Sequence, residues 1–493
     1  MPHRSGRSPR RQRLLLLTSL LSVALFAPTC PNDPGVVVVF GAEACRLVAY
    51  DKQDDYANQT VIPRASDGGL DINAQVCFFR DGSGWFVAGE DTGQPDPPAG
   101  FGIFQLQGVP GMFSANQIGK LTPTYQPQDV FQPENYGCGI LSDGRILTTD
   151  VGDQYPPLPG NGQLILWFPP FDRWSEEPYD GSTGQVAYCK LDVAIETAGG
   201  IYVDDDDNVY VASNRPSLDA GGNVDLTATG PGGVLVYRPP FPTGNDAADG
   251  CGLVDGTGAP LATTVDKELV IPANPLPGIL TASAIARAPN GNLYVSSVFS
   301  GQIAEFALGS LNASLGIAER FIVEPPPAEV PPYPTHGTPF GLGVDPDDGQ
   351  VYYADLGIGA APPGPVAGEG DVYRVPFDGL DDPLAPIKIN DTGFNYPDGI
   401  AVLERAMLIH PSPARVRTGR ERQFGATGIG LSNTVVWSVE GGAANGTITP
   451  DGLYTAPASI PPGGHAYVLA ESVDDPSVVG RSSVSIRQNA GER

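Results

Sequence analysis

Few residues in this chain have the type and setting for chemistry. Asp398 stands in the segment YPDGIAV (396–402), on a Pro-Asp-Gly turn immediately ahead of a strand-like run. A carboxylate there could donate oxygen to a hard cation, calcium before others, but such an ion needs several oxygen ligands converging. His336, in YPTHGTPFGL, is the candidate general base among the four histidines, His3, His336, His410 and His465. A lone histidine in a Pro/Gly loop is more often a surface hydrogen-bonding residue than a general base. The acidic run Asp204–Asp207 suggests a cation, yet four adjacent acids cannot all face one ion in a tight turn, so it reads as a solvated hairpin tip. No GxSxG, HExxH or phosphate-loop motif occurs.

These residues belong to a repeat. Residues 339–377 read as three short strands: a small/apolar run at 341–345, a Pro-Asp-Asp-Gly turn, a Val/Tyr-rich run at 350–354, a long Gly/Pro loop and a third run at 371–376. Turn residues between β-branched and aromatic runs mark hairpins. The unit recurs at 75–106, 138–168, 199–237 and 283–306, and YPDGIAVL (396–403) opens a sixth copy that is not completed. The strand-like stretch 36–50 has no first partner of its own. Supplying the missing strands of the sixth unit from the N-terminal end closes a ring and removes its open edge. The expected fold is all-β: a six-bladed β-propeller over 36–403.

Composition agrees. The 63 glycines and 51 prolines lie between strand-like runs and mark turns. Residues 1–13 carry five arginines and no acid, followed by an apolar run at 14–27, so that 1–29 reads as a secretory signal peptide. That run is short for a membrane span, and no later stretch reaches spanning length. Export, with an extracellular, cell-surface or periplasmic location, is the expectation. Cys30 lies where a lipoprotein acceptor would, although Ala27-Pro28-Thr29 departs from the usual pattern. Losing the five arginines takes the formal charge from −28 to −33, a balance that repels nucleic acid and anionic lipid and favours solubility outside the cell. The six cysteines show no CxxC spacing, and export permits disulfides. Cys189 and Cys251 occupy similar places ahead of two repeat openings, which makes them a plausible pair.

The texture changes near Arg405. Short alternating runs return every few residues through 405–488, the pattern of a β-sandwich. VVWSVEGG, GTITPDGLYTAPA and VLAESVDDPSVVGRSSVSI resemble bacterial immunoglobulin-like (Big-type) domains, which implies that Trp437 is the core tryptophan and that the module spaces or adheres. The sharp change also suggests that the two parts fold independently.

The repeats GIYVDDDDNVYVASN, IARAPNGNLYVSS, GLGVDPDDGQVYYAD and YPDGIAV resemble six-bladed propellers of the NHL-repeat and SMP-30/gluconolactonase type. That resemblance implies a divalent cation at the mouth of the central channel, held by side chains just before each inner strand. The six positions here are Ala74, Cys138, Gly199, Ser283, Phe340 and Asp398, and only Asp398 fits, with Gln75 or Asn73 contributing if the register slips. The long loops 91–100, 151–162, 214–232, 252–282, 321–339 and 356–370 fall on one face of such a ring, where function concentrates. Together these features point to an exported bacterial binding or interaction protein. Its partner would be an extracellular protein, a glycan or a small molecule, with no confident cofactor. The alternative is a metal-dependent lactonase that uses calcium.

Overall fold

The computed structural model describes residues 38–488 apart from 44–45, 53–54, 58, 63–73, 91–99, 122–134, 153–159, 173–183, 216, 218, 221–224, 226, 256–257, 275–277, 299, 325–338, 361–362, 366–369, 377–381, 391–396 and 398. The cysteines 30 and 45, Asn73, His336 and Asp398 therefore lie outside the described residues, as does part of the long-loop sequence.

Six sheets, antiparallel but for one parallel pairing in the second, follow one another as the blades of a propeller. The inner strands are Val76–Phe78 (blade 1), Asn135–Ile140 (blade 2), Ala198–Val203 (blade 3), Ile285–Arg287 (blade 4), Pro339–Val344 (blade 5) and Gly399–Leu403 (blade 6), and each touches the next around a closed ring. Blade 6 is completed from the other end of the chain: Gly399–Leu403 pairs with Val38–Glu43, which continues to Arg46–Asp51 and Gln59–Ile62. The expected closure is present, with one outer strand more than the sequence reading assigned.

Side chains alternate between the two faces of a strand, and in a blade both faces are covered. In the second strand of blade 1, Phe86 and Ala88 pack toward blade 6 while Val87 packs toward blade 2. Each of the six blade interfaces has its own apolar cluster. This two-sided burial makes second strands such as Leu293–Ser297 buried throughout.

The ring is tied by two further devices. The Cys77–Cys138 disulfide joins the inner strands of blades 1 and 2. The Cys189–Cys251 disulfide, the pairing expected from sequence, straps an excursion of blade 3 onto blade 2. Their sequence separations are 61 and 62 residues. Closing loops of that size is worth about 4 kcal/mol each in the chain-entropy picture. The strapped segment, read from sequence as part of a functional loop, is a hairpin, Cys251–Val254 with Pro260–Ala262. It extends blade 2 to six strands and is further fixed by the buried Lys190–Asp255 ion pair at 2.7 Å.

After Leu403 the chain enters three small sheets whose faces enclose a second core around Phe424, Tyr454, Val468 and Val484. Phe424 and Tyr454 meet edge to face at its centre, whereas Trp437 is only partly buried at its border. The expectation of a core tryptophan is corrected on this point. Nor are the two parts separate, because Ala406, Leu408 and Ile429 of the C-terminal part belong to the cluster that joins blades 6 and 1. Backbone bonds Met407 N–H to Gly82 O (2.8 Å) and Val479 N–H to Asp81 O (2.8 Å) cross the junction, and buried Gln105 accepts from the Ser412 hydroxyl at 2.5 Å. A glycine is required at 82: its φ is +68° and a Cβ there would lie 2.4 Å from Val478.

The shared cluster predicts one cooperative unit, against the sequence expectation of independent folding. Leu408→Ala should cost about 3 kcal/mol through the cavity it leaves, and calorimetry should show one shifted transition for the whole chain. Two transitions, only one of them shifted, would contradict the shared core. Truncation through residue 51 should leave the inner strand of blade 6 unpaired. Size exclusion is then expected to show aggregation, and a monomer with unchanged melting would count against ring closure.

Candidate functional site: the central channel

The channel wall comes from all six inner strands and encloses about 650 Å³. Its two ends differ. At the entry end, where inner strands begin, the strands are drawn together. Gly137 and Gly139 of blade 2 lie so close to blade 3 that a Cβ would meet Gly199 O at 2.3 Å and Ile201 at 2.8 Å. Blade-to-blade ties follow the same level: Gln75 N–H donates to Tyr136 O, the Thr149 hydroxyl to Gly199 O (2.7 Å), Gly200 N–H to Ser283 O, and the Ser296 hydroxyl to Phe340 O (2.7 Å). Thr149 and Ser296 occupy the same place in blades 2 and 4, the fourth residue of the second strand.

Blades 2 and 5 face each other across the ring, and there the rings of Tyr136 and Phe340 meet, 4.5 Å apart and edge to face. Two aromatic side chains thus bridge the channel at its entry end. Gln75 is also committed: its amide donates to Ile201 O at 2.7 Å, and its carbonyl accepts from Ile201 N–H at 2.9 Å and Cys138 N–H at 3.3 Å. It locks blades 1, 2 and 3 together, with both its amide nitrogen and its carbonyl oxygen engaged.

The cation implied by the lactonase resemblance can be tested against these residues. Of the five described positions, Ala74 and Gly199 offer no side-chain oxygen, and Cys138 is in a disulfide. Ser283 accepts from Val298 N–H, and Phe340 fills the axis. A hard cation requires six or more oxygens, and these residues do not fit one. Asp398 and His336 lie outside the described residues.

At the opposite end, where each inner strand turns into its hairpin, the channel opens. Lining residues there are exposed or half-buried: Arg80, Asp205, Arg287, Pro346 and Glu404. Arg80 reaches across blade 2 to donate to the carbonyls of Val203 and Asp204. Arg287 pairs with Asp205 at 3.1 Å, beside the Tyr202 hydroxyl. Glu404, following the inner strand of blade 6, takes no hydrogen bond among the described residues. Burial, with repulsion from Asp347 and Asp345, pushes its carboxyl up to about 7. No serine, threonine or histidine is among the described lining residues, and both lining cysteines are in the disulfide.

The Asp204–Asp207 run is the hairpin tip expected, and its acids diverge. Asp204 accepts from Asp206 N–H, Asn208 N–H and the Asn208 amide; Asp205 faces Arg287; and Asp207, at φ +60°, accepts from the Ser142 N–H and hydroxyl of blade 2. Sequence reading missed Arg80, Glu404 and the Tyr136–Phe340 contact because it compared only the entry positions. The first two have a signal, a charged residue just past the inner strand in FFRDGSG and IAVLERA.

No protein-family model matches the chain, and no curated protein matches it. Among solved structures it is similar to a gluconolactonase of Xanthomonas campestris (13% identity, 65% of this chain and 83% of that one, TM-score 0.32). It is similar to the calcium-binding protein regucalcin of Agrobacterium tumefaciens (11%, 66% and 83%, 0.34). A third is virginiamycin B lyase of Staphylococcus aureus (11%, 69% and 77%, 0.32). These likenesses carry no chemistry to this chain; the propeller stands on its sheet order.

Glu404 sets a pH dependence. Its folded-state pKa lies above the ordinary value, so its favourable contribution is full below about 4.5 and is lost as pH rises through about 7. With allowance for solvent screening at a half-buried group, the loss is about 1 kcal/mol. Glu404→Gln should therefore gain melting temperature over wild type at pH 8 and show little gain at pH 4. An equal difference at both pH values would remove the burial argument.

Proposed function

We propose that the chain is an exported, non-enzymatic binding protein that presents a rigid six-bladed propeller. The signal-like segment 1–29 and the acidic balance support export, and that balance disfavours nucleic acid as a partner. Among the described residues no helix is long and apolar enough to cross a membrane. The C-terminal sheets are read as an immunoglobulin-like module, whose shared core with blades 6 and 1 makes it a fixed buttress rather than a loose spacer. Anchoring through Cys30 is compatible with this arrangement. The observation that carries the reading is the Tyr136–Phe340 contact, which occupies the end of the channel where a lactonase would hold its metal, while the other end stays open.

A metal-dependent hydrolase of the lactonase type is the second reading. It is favoured by the position of Asp398, one residue ahead of the inner strand Gly399–Leu403. Scanning calorimetry of wild type and Asp398→Asn, each with calcium and with chelator, separates the two, since a ligand bound only to the native state raises its stability. The binding reading expects no calcium shift in either protein, a cost of about 1 kcal/mol for the substitution, and no hydrolysis of aldonolactones. A calcium-dependent rise in wild type that the variant lacks, together with lactone turnover, would install the hydrolase.

A further inference from the structure

The C-terminal part leaves one sheet edge open. Its four-stranded sheet ends on Val435–Val439, which pairs in unbroken register with His465–Ser472 on one side and with no strand on the other. Two bonds just outside that span fix which way its backbone points. Val473 N–H donates to Thr434 O at 3.1 Å, and Glu440 N–H donates to Tyr467 O at 3.0 Å. Opposed residues of an antiparallel pair alternate between bonded and non-bonded. Residues 434, 436, 438 and 440 therefore bond inward, while Val435, Trp437 and Val439 turn their N–H and C=O groups outward. Those outward groups have no partner among the described residues. Other edges are blunted, as exposed edges usually are. The outer strand of blade 3, Asp266–Pro272, is bulged and carries Asp266, Lys267 and Glu268; that of blade 4, Arg320–Val323, is bulged and opens on arginine. The run VVWSV has no charge, no proline and no bulge, and Val436 is 57% exposed. A groove of about 350 Å³ lies beside it, walled by Val435 and Trp437 on one side and Phe424 and Ala426 on the other.

We propose that the Val435–Val439 edge takes up an extended peptide of a partner protein as a fifth strand, with neutral or basic ends and an apolar side chain in the groove beside Trp437. The inference rests on the binding reading and makes the partner a protein. Outward N–H and C=O groups recur here at every second residue, about 7 Å apart. Another extended chain matches all of them at once, which a glycan or a small molecule does not. Strand addition of this kind takes affinity from the main chain and selectivity from pockets for alternate side chains. Charge decides whose strand it is. Glu471 stands opposite Val436, Asp451 lines the groove, and Asp474 accepts from Ser432 N–H just before the strand. A second copy would bring the same acids to the seam and add its own −28, whereas a neutral or basic segment meets no such repulsion.

The probe is a short acetylated peptide of alternating threonine and valine, with a central phenylalanine and lysine at both ends. Isothermal titration into the full chain is expected to show binding that the fully N-methylated peptide lacks. Replacing the terminal lysines by glutamate should weaken it at least about tenfold. Hydrogen–deuterium exchange should slow at 435–439 on adding the lysine-ended peptide, a measurement that needs no variant. Val435→Pro removes one outward N–H and keeps the bonds to His465–Ser472, a placement that edge strands tolerate. It should lose at least about tenfold in peptide affinity while melting close to wild type; if it does not fold, the wild-type exchange decides. Equal binding of the N-methylated peptide, unchanged exchange at 435–439, wild-type affinity in a folded Val435→Pro, or equal affinity for the glutamate-ended peptide would each overturn the proposal. So would a dimer on sedimentation whose 435–439 amides are protected without peptide, since the edge would then belong to a second copy. Calcium-dependent lactone turnover in a chain that still takes up the peptide would remove the non-enzymatic reading and leave this edge standing. Neither turnover nor protection at 435–439 would remove the edge alone.

Discussion

The structure depends on how closely six inner strands can stand around one axis. Strands in a sheet are held apart by their own hydrogen bonds, but strands of neighbouring blades meet through side chains, and near the axis there is no room for large ones. The chain solves this with glycine at positions 137, 139, 199, 200 and 343. At three of them, 137, 139 and 343, a Cβ would lie less than 3.0 Å from the next blade, and at 199 and 200 it would sit at that limit. The space so removed allows direct ties. Blades 1 and 3 donate backbone N–H groups to the next blade, and blades 2 and 4 reach across with the hydroxyls of Thr149 and Ser296. Polar groups near the axis, which would be costly to bury unpaired, thereby become the fastening of the ring.

Closure extends the same constraint to both ends of the chain. The inner strand of blade 6 arrives last and finds its partners at residues 38–62. The joint is reinforced by a hydrogen bond between the Tyr56 and Tyr352 hydroxyls at 2.7 Å, with Arg374 over the Tyr56 ring. Lys52 adds an ion pair to Asp345 and Asp348 across blades 6 and 5. On the other side of blade 6 the C-terminal sheets complete the cluster that blades 6 and 1 begin. Arg481 lies over both Trp85 and Tyr467, so a cation is held between an aromatic ring of the propeller and one of the C-terminal part. Three separate stretches of sequence thus meet at one seam, which explains why a sharp change of texture at Arg405 does not mark a break in the fold.

Much of the architecture was legible because it is written locally. Turn residues such as PDDG and APNG, and runs such as LYVSS and VYYAD, repeat at matching places, and those runs are second strands buried on both faces. The need to close the ring followed from an unpaired first strand. What could not be read was contact across the axis. Tyr136 and Phe340 are 204 positions apart in a chain whose local spacing says nothing of which blades stand opposite, and only the ring geometry brings them together. Gln75 looked like a spare oxygen donor because its three backbone partners belong to other repeats. The 251–262 hairpin looked like a loop because its strand partner, Ala187–Ile195, lies in the preceding blade. Trp437 was assigned to the core from the immunoglobulin-like resemblance, but the tighter site went to Phe424 and Tyr454, leaving the indole at the border.

The acidity of the chain has a structural origin that bears on the open end of the channel. In turn after turn an aspartate accepts the N–H two residues on: Asp81 from Ser83, Asp143 from Arg145, Asp192 from Ala194, Asp204 from Asp206, Asp345 from Asp347, Asp355 from Gly357. Such aspartates are part of the hairpin chemistry, and a six-bladed ring needs many hairpins. Part of the negative charge thus serves how the blades turn, and four of these six, Asp81, Asp143, Asp204 and Asp345, lie where first strands turn into second strands. Glu404 differs in kind. It ends the last inner strand, where the chain leaves the propeller instead of turning back, so it caps no hairpin N–H. It sits near Asp345, which accepts from Lys52 and from Asp347 N–H, and takes no hydrogen bond itself among the described residues. The same ring geometry that closes the entry end with two aromatic rings leaves this carboxyl at the open one.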